Sequence, residues 1–224
     1  MKNIHYSYCK QQHGITGLET AIILIAFVVV AAVFAFTVLS SGIFASERSK
    51  ETVYSGLKET TSTLEPKSGV IAVRGDVDGE NAIVQLRFHV GGTVAGESVD
   101  LTPPYVFDDT GTDPDPSGLE AKTVLGFTNA AEHVSEVRWT VEFAGGSSGD
   151  YLLDRGEMAE ITVWLHEKNT AVGDYNLGTA GSGHLSTRLG TNDHLSIEVN
   201  ADQGGFFSVE RRIPSRLLAI MDLR

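Results

Sequence analysis

The sequence has 224 residues, of which 42% are hydrophobic and 21% are charged, a length that accommodates one globular domain and an additional segment. Its formal net charge is −12, and an acidic chain without a basic stripe repels nucleic acid, which we therefore exclude as an expected partner. The single cysteine, Cys9, rules out a disulfide framework and a cysteine-based metal site.

The N-terminal region combines a short basic segment with a long apolar run. Residues 1–14, MKNIHYSYCKQQHG, contain two lysines and no acid, and no charge occurs in the 27 residues between Glu19 and Glu47. A helix of that length extends about 40 Å, more than the ~30 Å hydrocarbon core of a bilayer. We therefore predict a helix long enough to cross a membrane, with the lysines on the cytoplasmic side.

The residues alone leave three interpretations of this run open. It could be a secretory signal cut between Ala45 and Ser46, a plain membrane anchor, or a segment cut between Gly14 and Ile15. A plain anchor does not explain Glu19, because a carboxylate in the bilayer costs ~2.5–3.5 kcal/mol at the centre. After a cut at Gly14, Glu19 becomes the fifth residue, where the helix dipole favours an anion and a free ammonium at Ile15 neutralises it.

The phrase GITGLETAIILIAFVVVAAVFAFTVLSSG resembles the N-terminus of archaeal flagellins, the archaellins, and the leader resembles a class III, type IV pilin-like signal. The resemblance covers residues 14–42 strongly, and the rest of the chain only in general character. It implies cleavage between Gly14 and Ile15 by a prepilin-peptidase-like enzyme in the membrane. It also implies assembly with other archaellins, as a homo- or hetero-polymer, into an extracellular helical filament on the archaeal surface, turned by a motor and platform.

The apolar helix is the expected assembly element. Seventeen large apolar side chains surround it between Ile15 and Phe44, so it must be enclosed by lipid or by other helices. Moving it from lipid into a filament changes the hydrophobic free energy little, so packing contacts must drive the transfer. Four small residues have a spacing that permits close helix approach, or they simply favour helix formation. The predicted assembly residues are Gly17, Glu19, Ala21, Ile22, Ile25, Val29, Ala31, Ala35 and Phe36.

The predicted fold class is α+β, a long N-terminal hydrophobic α-helix followed by an antiparallel Ig-like β-sandwich. The expected boundaries are a leader at 1–14, an assembly helix at 15–64 and an outer β-sandwich domain at 69–224. Within the outer domain the apolar period is two, so IVQLRFHV places four side chains on one face of a strand, and EVRWTVEF does the same. These side chains are Val84, Leu86, Phe88 and Val90 in the first strand, and Val137, Trp139, Val141 and Phe143 in the second.

Two further parts of the outer domain have specific expectations. Residues 171–194 are aperiodic and rich in Gly, Thr and Ser, which predicts a long loop that faces water or a neighbouring subunit. The C-terminal cluster around Leu217, Leu218 and Ile220 is too apolar for a free chain end. It either closes the sandwich or contacts the next subunit.

No cofactor is expected, apart from a structural Ca²⁺ or Mg²⁺. Asp76, Asp78 and Glu80 form an acidic turn of the kind that binds hard cations, or an ordinary hairpin turn, and the acidic turn at 108–116 offers the same two alternatives. Ser147 in GGSSG lacks the following helix that a nucleophile elbow needs, so we expect no enzyme. The favoured function is a subunit of the archaeal swimming filament. The alternatives are an adhesion pilin and a single-span β-sandwich receptor.

Overall fold

A computed structural model describes residues 15–61, 64–92, 98–145, 150–202 and 206–223. The chain divides into two compact units, Met1–Tyr54 and Ser55–Arg224. The N-terminal element is one continuous helix, α1, which runs from Ile15 to Thr61. At about 1.5 Å per residue its 47 residues extend about 70 Å.

Helix α1 ends three residues before the predicted position 64. Leu64 begins the first strand instead, where it lies opposite Gly92 in an antiparallel pair. The side chain of Leu64 is buried in the core. Burial in the core therefore outweighs the local preference that favours continuing the helix to Pro66.

After the helix the described residues form strands, turns and loops, and the longest of these strands spans thirteen residues. In chain order the strands are β1 (Leu64–Pro66), β2 (Val70–Val77), β3 (Glu80–Gly92), β4 (Val99–Asp100), β5 (Tyr105–Val106), β6 (Thr112–Asp113), β7 (Asp115–Pro116), β8 (Val124–Asn129), β9 (His133–Val134), β10 (Arg138–Ala144), β11 (Leu152–Leu153), β12 (Met158–Trp164), β13 (Glu167–Asn169), β14 (Asp174–Asn176), β15 (His194–Asn200), β16 (Phe206–Arg212) and β17 (Ile220–Leu223).

Two larger sheets share one hydrophobic core. The first has nine strands in the order β10-β12-β3-β2-β14-β13-β6, with β1 also paired to β3 and β17 to β2. The second has the order β16-β15-β8-β9, and the pairs β11-β4 and β5-β7 form two small sheets. Both larger sheets contribute side chains to the same core, for example Phe88 and Ile161 from the first and Phe127 and Ile197 from the second. This arrangement confirms the long helix followed by antiparallel-rich sheets.

The predicted face of β3 is wrong at Val84. Opposite β3, Val73 pairs with Gln85 and Arg74 pairs with Ile83, so Val84 is an extra residue in a β-bulge. A bulge inverts the alternation of side chains along a strand. Ile83 therefore points into the main core with Leu86, while Val84 joins a second apolar cluster.

The segment 171–194 is not simply an exposed loop. It contains strand β14, and Leu185 and Leu189 are completely buried in the main core. Backbone hydrogen bonds fix both leucines, one from Leu185 N–H to Leu165 O at 2.8 Å and one from Ile83 N–H to Leu189 O at 3.0 Å. The apolar side chains around Leu185 and Leu189 have no regular period because single backbone hydrogen bonds, rather than a strand, hold this part of the segment.

The C-terminal segment closes the first sheet, one of the two predicted outcomes. Strand β17 pairs antiparallel with β2, and its Met221 and Leu223 are buried in the core. Leu217 packs against that core. Leu218 and Ile220, by contrast, are 50% and 67% exposed.

Candidate assembly helix and acidic turns

The surface of α1 is apolar and exposed along most of its length. Residues 17–56 are all exposed, and Phe27 and Phe36 expose 73% and 72% of their surface. By length and composition, Gly17–Gly56 could cross a membrane. A surface of this kind is unstable in water and requires an apolar environment.

Three side-chain hydroxyl groups in the apolar part of α1 bond to the helix itself. Thr37 donates to Phe34 O at 2.8 Å, Ser41 donates to Thr37 O at 2.8 Å, and Thr20 donates to Gly17 O at 3.0 Å. An unsatisfied hydroxyl is costly in an apolar medium. These internal bonds allow the three side chains to enter lipid or a helix bundle without a polar partner from outside.

The small residues predicted to act in assembly share one face of α1. At about 100° per residue, Gly17, Ala21, Ala31 and Ala35 lie within a sector of about 80°. None of the four has a long side chain, and a Cβ added at Gly17 would meet no atom within 4 Å. Leu24 and Val28 lie in the same sector between the two pairs, so close approach to a second helix is possible at Gly17/Ala21 and at Ala31/Ala35 but not along the whole face.

The large predicted assembly residues form a separate face. Ile22, Ile25, Val29 and Phe36 lie within a sector of about 60°, whose centre is about 110° from the small-residue face. The helix thus presents a ridge of large side chains beside a face on which small residues occur in two separate pairs. Two such surfaces can interlock when identical helices pack side by side.

Glu19 lies outside both faces and near the start of the helix. It is the fifth residue of α1, which begins at Ile15, and it is exposed. No acidic residue occurs in the first turn. The predicted cleavage residue Gly14 lies outside the described residues.

The acidic turn at residues 76–80 is a two-residue hairpin. Asp78 and Gly79 both have positive φ, 51° and 86°, as a type I′ turn requires. Asp76 Oδ1 accepts the Gly79 N–H at 2.6 Å, and Glu80 lies 3.5 Å from the Arg188 guanidinium. Two of the three predicted metal ligands therefore have partners within the chain.

Three other carboxylates lie closer together, in the second acidic turn. One oxygen each from Asp108, Asp113 and Asp115 lies within 4.8 Å of the others. Asp113 is 0% exposed; its Oδ1 accepts the Asp108 N–H at 3.4 Å, and its Oδ2 has no hydrogen-bond partner in the described part of the chain. Burial raises the pKa of the Asp113 carboxyl, and the charges of Asp108 and Asp115 raise it further.

The sequence singles out this second turn but not Asp113. DDTGTDPDP contains four aspartates, and no local pattern distinguishes the buried one. Asp113 is buried because β6 pairs with β13, where it lies opposite Lys168. That pairing joins segments more than fifty residues apart, so no motif could reveal it.

Two buried histidines are a further feature that the sequence does not indicate. His166 is 0% exposed and neither ring nitrogen has a partner in the described residues, while His184 is 4% exposed and its Nδ1 lies 3.2 Å from Trp164 O. Burial lowers the pKa of His166 to about 4 and that of His184 to about 3. Both side chains are therefore neutral at physiological pH.

Comparison with known proteins identifies relatives over almost the whole chain. A family model described as archaeal-type flagellin matches residues 14–211. The probable flagellin 1 of Archaeoglobus fulgidus is 31% identical over 218 residues, which cover 96% of this chain and 97% of that protein. The probable flagellin 1 of Aeropyrum pernix is 30% identical over 217 residues, covering 93% of this chain and 95% of that protein.

A solved structure has the same fold. A chain of the archaeal flagellum of Methanospirillum hungatei strain JF1 superposes on this chain with a TM-score of 0.59. Its chain is 23% identical, and the match covers 90% of this chain and 95% of that one.

Proposed function

The chain belongs to the archaeal-type flagellin family, and on that premise we propose that helix α1 is the element through which it polymerises. The protein is a structural subunit of the extracellular swimming filament, the archaellum, and not an enzyme. It assembles with other subunits into a filament on the cell surface. The family favours this function over an adhesion pilin or a membrane-anchored receptor.

One observation carries the proposal for α1, namely that its apolar part, without a charge between Glu19 and Glu47, is exposed on every side. Against water, burying its seventeen large side chains stabilises by roughly 25–50 kcal/mol. Against lipid, the hydrophobic gain is close to zero, because acyl chains are equally apolar. Subunits therefore enter the filament from the membrane, and their release into water carries the whole cost.

We assign different roles to the two faces of α1. The pairs Gly17/Ala21 and Ala31/Ala35 allow close approach, and the ridge around Ile25 fills the space beside them. Helix packing in an apolar medium depends on such van der Waals contact rather than on the hydrophobic effect. Glu19 then lies near the free N-terminus of the mature chain, where an ammonium group neutralises it.

The leader 1–14 is the second part of the proposal. A prepilin-peptidase-like enzyme removes it between Gly14 and Ile15, and the motor and platform of the filament act on the assembled polymer. Support comes from the position of Glu19. The free-energy cost of placing its carboxylate in an apolar medium is lowest when cleavage makes it the fifth residue of the mature chain.

The test is N-terminal sequencing of protein sheared from the cell surface, which we expect to begin ITGLET. Gly14→Phe should prevent cleavage and abolish filaments, while Gly14→Ala, a much smaller change, should retain both. Filaments built from full-length Gly14→Phe chains would show that processing at Gly14 is not required.

A structural cation is the third part of the proposal, and the second acidic turn is better suited to it than residues 76–80. Asp108, Asp113 and Asp115 supply three oxygens in reach of one ion. The Oδ2 atom of Asp113 is buried without a partner, a situation that a cation would relieve. Calcium prefers carboxylate oxygens and accepts irregular geometry, so we expect Ca²⁺ to bind more tightly than Mg²⁺.

Thermal unfolding of the mature chain in detergent, with Ca²⁺ or with a chelator, tests this assignment. Calcium should raise the Tm of the unsubstituted chain, and Asp115→Asn should remove that increase. Asp78→Asn is the matched control in the first turn, since asparagine tolerates the positive φ of that position. An equal calcium effect in Asp115→Asn, or its loss in Asp78→Asn, would contradict the assignment.

A further inference from the structure

The outer domain contains a cleft that the proposed assembly through α1 does not use. The cleft has a volume of about 670 Å³, within the usual range of about 300–1,000 Å³ for ligand-binding pockets. One wall consists of β8, β9 and the residues that follow β9, the second wall is the segment 180–186, and Pro104 and Tyr105 form the third. A cleft of this size admits a small molecule or the end of a long side chain.

Hydrogen bonds between the first two walls fix the shape of the cleft. Glu132 Oε2 accepts the Ser186 N–H at 3.0 Å and the Ser186 hydroxyl at 2.9 Å, and Glu132 Oε1 accepts the Thr187 N–H at 2.9 Å. The Thr187 hydroxyl donates to the same Oε1 atom. Arg138, just beyond the first wall, donates its backbone N–H to Gly183 O at 3.1 Å. A ligand therefore meets a preformed site, which lowers the entropic cost of binding.

The lining of the cleft is acidic. It includes Glu132 and Glu136, and none of the described residues that line it is a lysine or an arginine. Burial raises the pKa of the Glu132 carboxyl, but hydrogen bonds from Thr187 and Ser186 outweigh burial and hold the pKa below its usual value, so this group is ionised at neutral pH. Glu136 is exposed and forms no hydrogen bond or ion pair with a described residue. Two carboxylates without a basic partner thus line the cleft.

A buried acceptor belongs to the same lining. His184 is 4% exposed, and its Nδ1 lies 3.2 Å from Trp164 O. Because a carbonyl oxygen only accepts, Nδ1 carries the proton of the neutral ring and Nε2 is an acceptor. That Nε2 has no hydrogen-bond partner among the described residues. A ligand that suits this lining brings hydrogen-bond donors rather than acceptors.

Apolar side chains in the lining favour an organic cation over a metal ion. Pro104, Tyr105, Val124 and Val134 line the cleft, and all four are at least partly exposed. Calcium and magnesium need direct oxygen ligands, but each Glu132 oxygen already accepts two hydrogen bonds. An ammonium or guanidinium group on an alkyl chain needs carboxylate charge near its head and apolar surface along its chain.

We propose that this cleft binds a primary ammonium or a guanidinium group carried on an apolar chain. Glu136 pairs with the charged head, and Val124 and Tyr105 contact the chain. The group comes either from a free amine or from a lysine or arginine side chain of a second copy of this chain, since both have the same chemistry. The inference does not rest on the proposed function, because a single subunit contains the whole cleft.

Equilibrium dialysis of cadaverine, an alkyl diamine, against the mature chain in detergent micelles tests the proposal, with protein-free micelles as the blank. We expect saturable binding, and the neutral diol of the same length should not compete. Glu136→Gln should weaken the affinity about tenfold, because it removes a charge-assisted hydrogen bond. Glu142→Gln is the matched control and should leave the affinity unchanged, since Glu142 is exposed in β10 and does not line the cleft.

A steric variant tests the position of the site. Val124 is 38% exposed and lies outside the core, so Val124→Phe should fold and should abolish cadaverine binding by filling the cleft. Val172→Phe makes the same change at a residue that is 69% exposed outside the cleft, and it should bind cadaverine normally. Thermal unfolding without ligand checks that both variants are folded.

Assembled filaments distinguish the two sources of the ligand. Filaments that bind cadaverine as the micellar chain does leave the cleft to a free amine, whereas filaments that have lost binding have the cleft filled by a side chain of a neighbouring copy. Absence of saturable binding to the micellar chain, or equal affinities of the Glu136 and Glu142 variants, would overturn the proposed cleft ligand and leave the proposed function intact. Absence of filaments from the unsubstituted chain would overturn the proposed function alone.

Discussion

Helix α1 and the outer domain use apolar residues in opposite ways. Phe36 in the helix is 72% exposed, whereas Phe88 in β3 is 0% exposed. The two side chains are chemically identical, so the difference in exposure comes from their surroundings and not from the residue type. The outer domain completes its core with its own strands, whereas the proposed function has the helix covered by lipid or by other subunits.

This comparison shows that two separate stabilities must be considered for one chain, that of the folded outer domain and that of the filament. The free energy of unfolding of the outer domain depends on contacts within it, and the persistence of the filament depends on contacts between copies. A substitution in one region should therefore change one quantity and leave the other unaffected. The following predictions test that separation, from the largest expected effect to the smallest.

Val29→Asp should abolish filament formation. A carboxylate in the middle of an apolar environment costs ~2.5–3.5 kcal/mol on insertion scales, and every subunit in the polymer carries it. Electron microscopy of sheared material should show no filaments. Val172→Asp is the matched control, because Val172 is 69% exposed in the outer domain, and its filaments should persist. Normal filaments from Val29→Asp would mean that this face of α1 is not enclosed.

Phe88→Ala should reduce the free energy of unfolding of the outer domain by about 3–5 kcal/mol, since it leaves a cavity in the core. Phe36→Ala should not change it, because the Phe36 ring lies outside the core of the outer domain and is 72% exposed. Chemical unfolding of detergent-solubilised chains, followed by tryptophan fluorescence, measures both. A similar decrease in the free energy of unfolding in both variants would show that α1 and the outer domain do not differ in this respect.

The outer domain should lose stability in acid because of His166. Its folded pKa is about 4 and its unfolded pKa about 6.5, so the unfolded state takes up the proton first as the pH falls. The contribution is fully present above pH 6.5 and is lost between about pH 6.5 and 4, with a total of ~3 kcal/mol. Denaturant unfolding at a series of pH values measures this loss.

His166→Leu is the informative variant, because a leucine of similar size has no proton to gain. It should remove about half of the pH dependence between 6.5 and 4 without lowering stability at pH 7, because His184, whose pKa is about 3, loses stability over the same range. His194→Leu changes an exposed histidine and should leave the curve as it is. An unaltered curve in His166→Leu would assign the acid sensitivity to other groups.

Gly79→Ala should destabilise the outer domain by only about 1 kcal/mol, through the positive φ of 86° alone. A Cβ at this position would meet no atom within 4 Å, so no steric term is added. Gly92→Ala has the same open space without a positive φ and serves as the control. Thermal unfolding compares the two. Equal Tm values would show that the turn at Asp78 relaxes.

The sequence predicts the helix and many of the strands because both follow from local spacing. The uncharged run between Glu19 and Glu47 requires an apolar environment, and this follows from its sequence alone. Period-two alternation predicts β10, where Trp139 is buried. The same reasoning fails at Val84, because a bulge in one strand is decided by its partner strand.

The candidate sites divide in the same way. The position of Glu19 relative to the start of the helix is readable from the sequence, as are the small and large residues of α1, because a helix relates them by a constant angle. The burial of Asp113 is not readable, because it depends on Lys168 in a distant strand. Leu185 and Leu189 escaped prediction for an equivalent reason.

By itself, the sequence determined that this protein has an apolar helix requiring cover and an acidic β-rich domain that follows it. Only the tertiary structure decided which carboxylate is buried, which face Val84 occupies and that Leu185 and Leu189 lie in the core. The physical reason is the separation along the chain of the residues that determine each property. Periodicity and charge are properties of neighbouring residues, whereas burial and pairing are set by strands that meet across long separations in the chain.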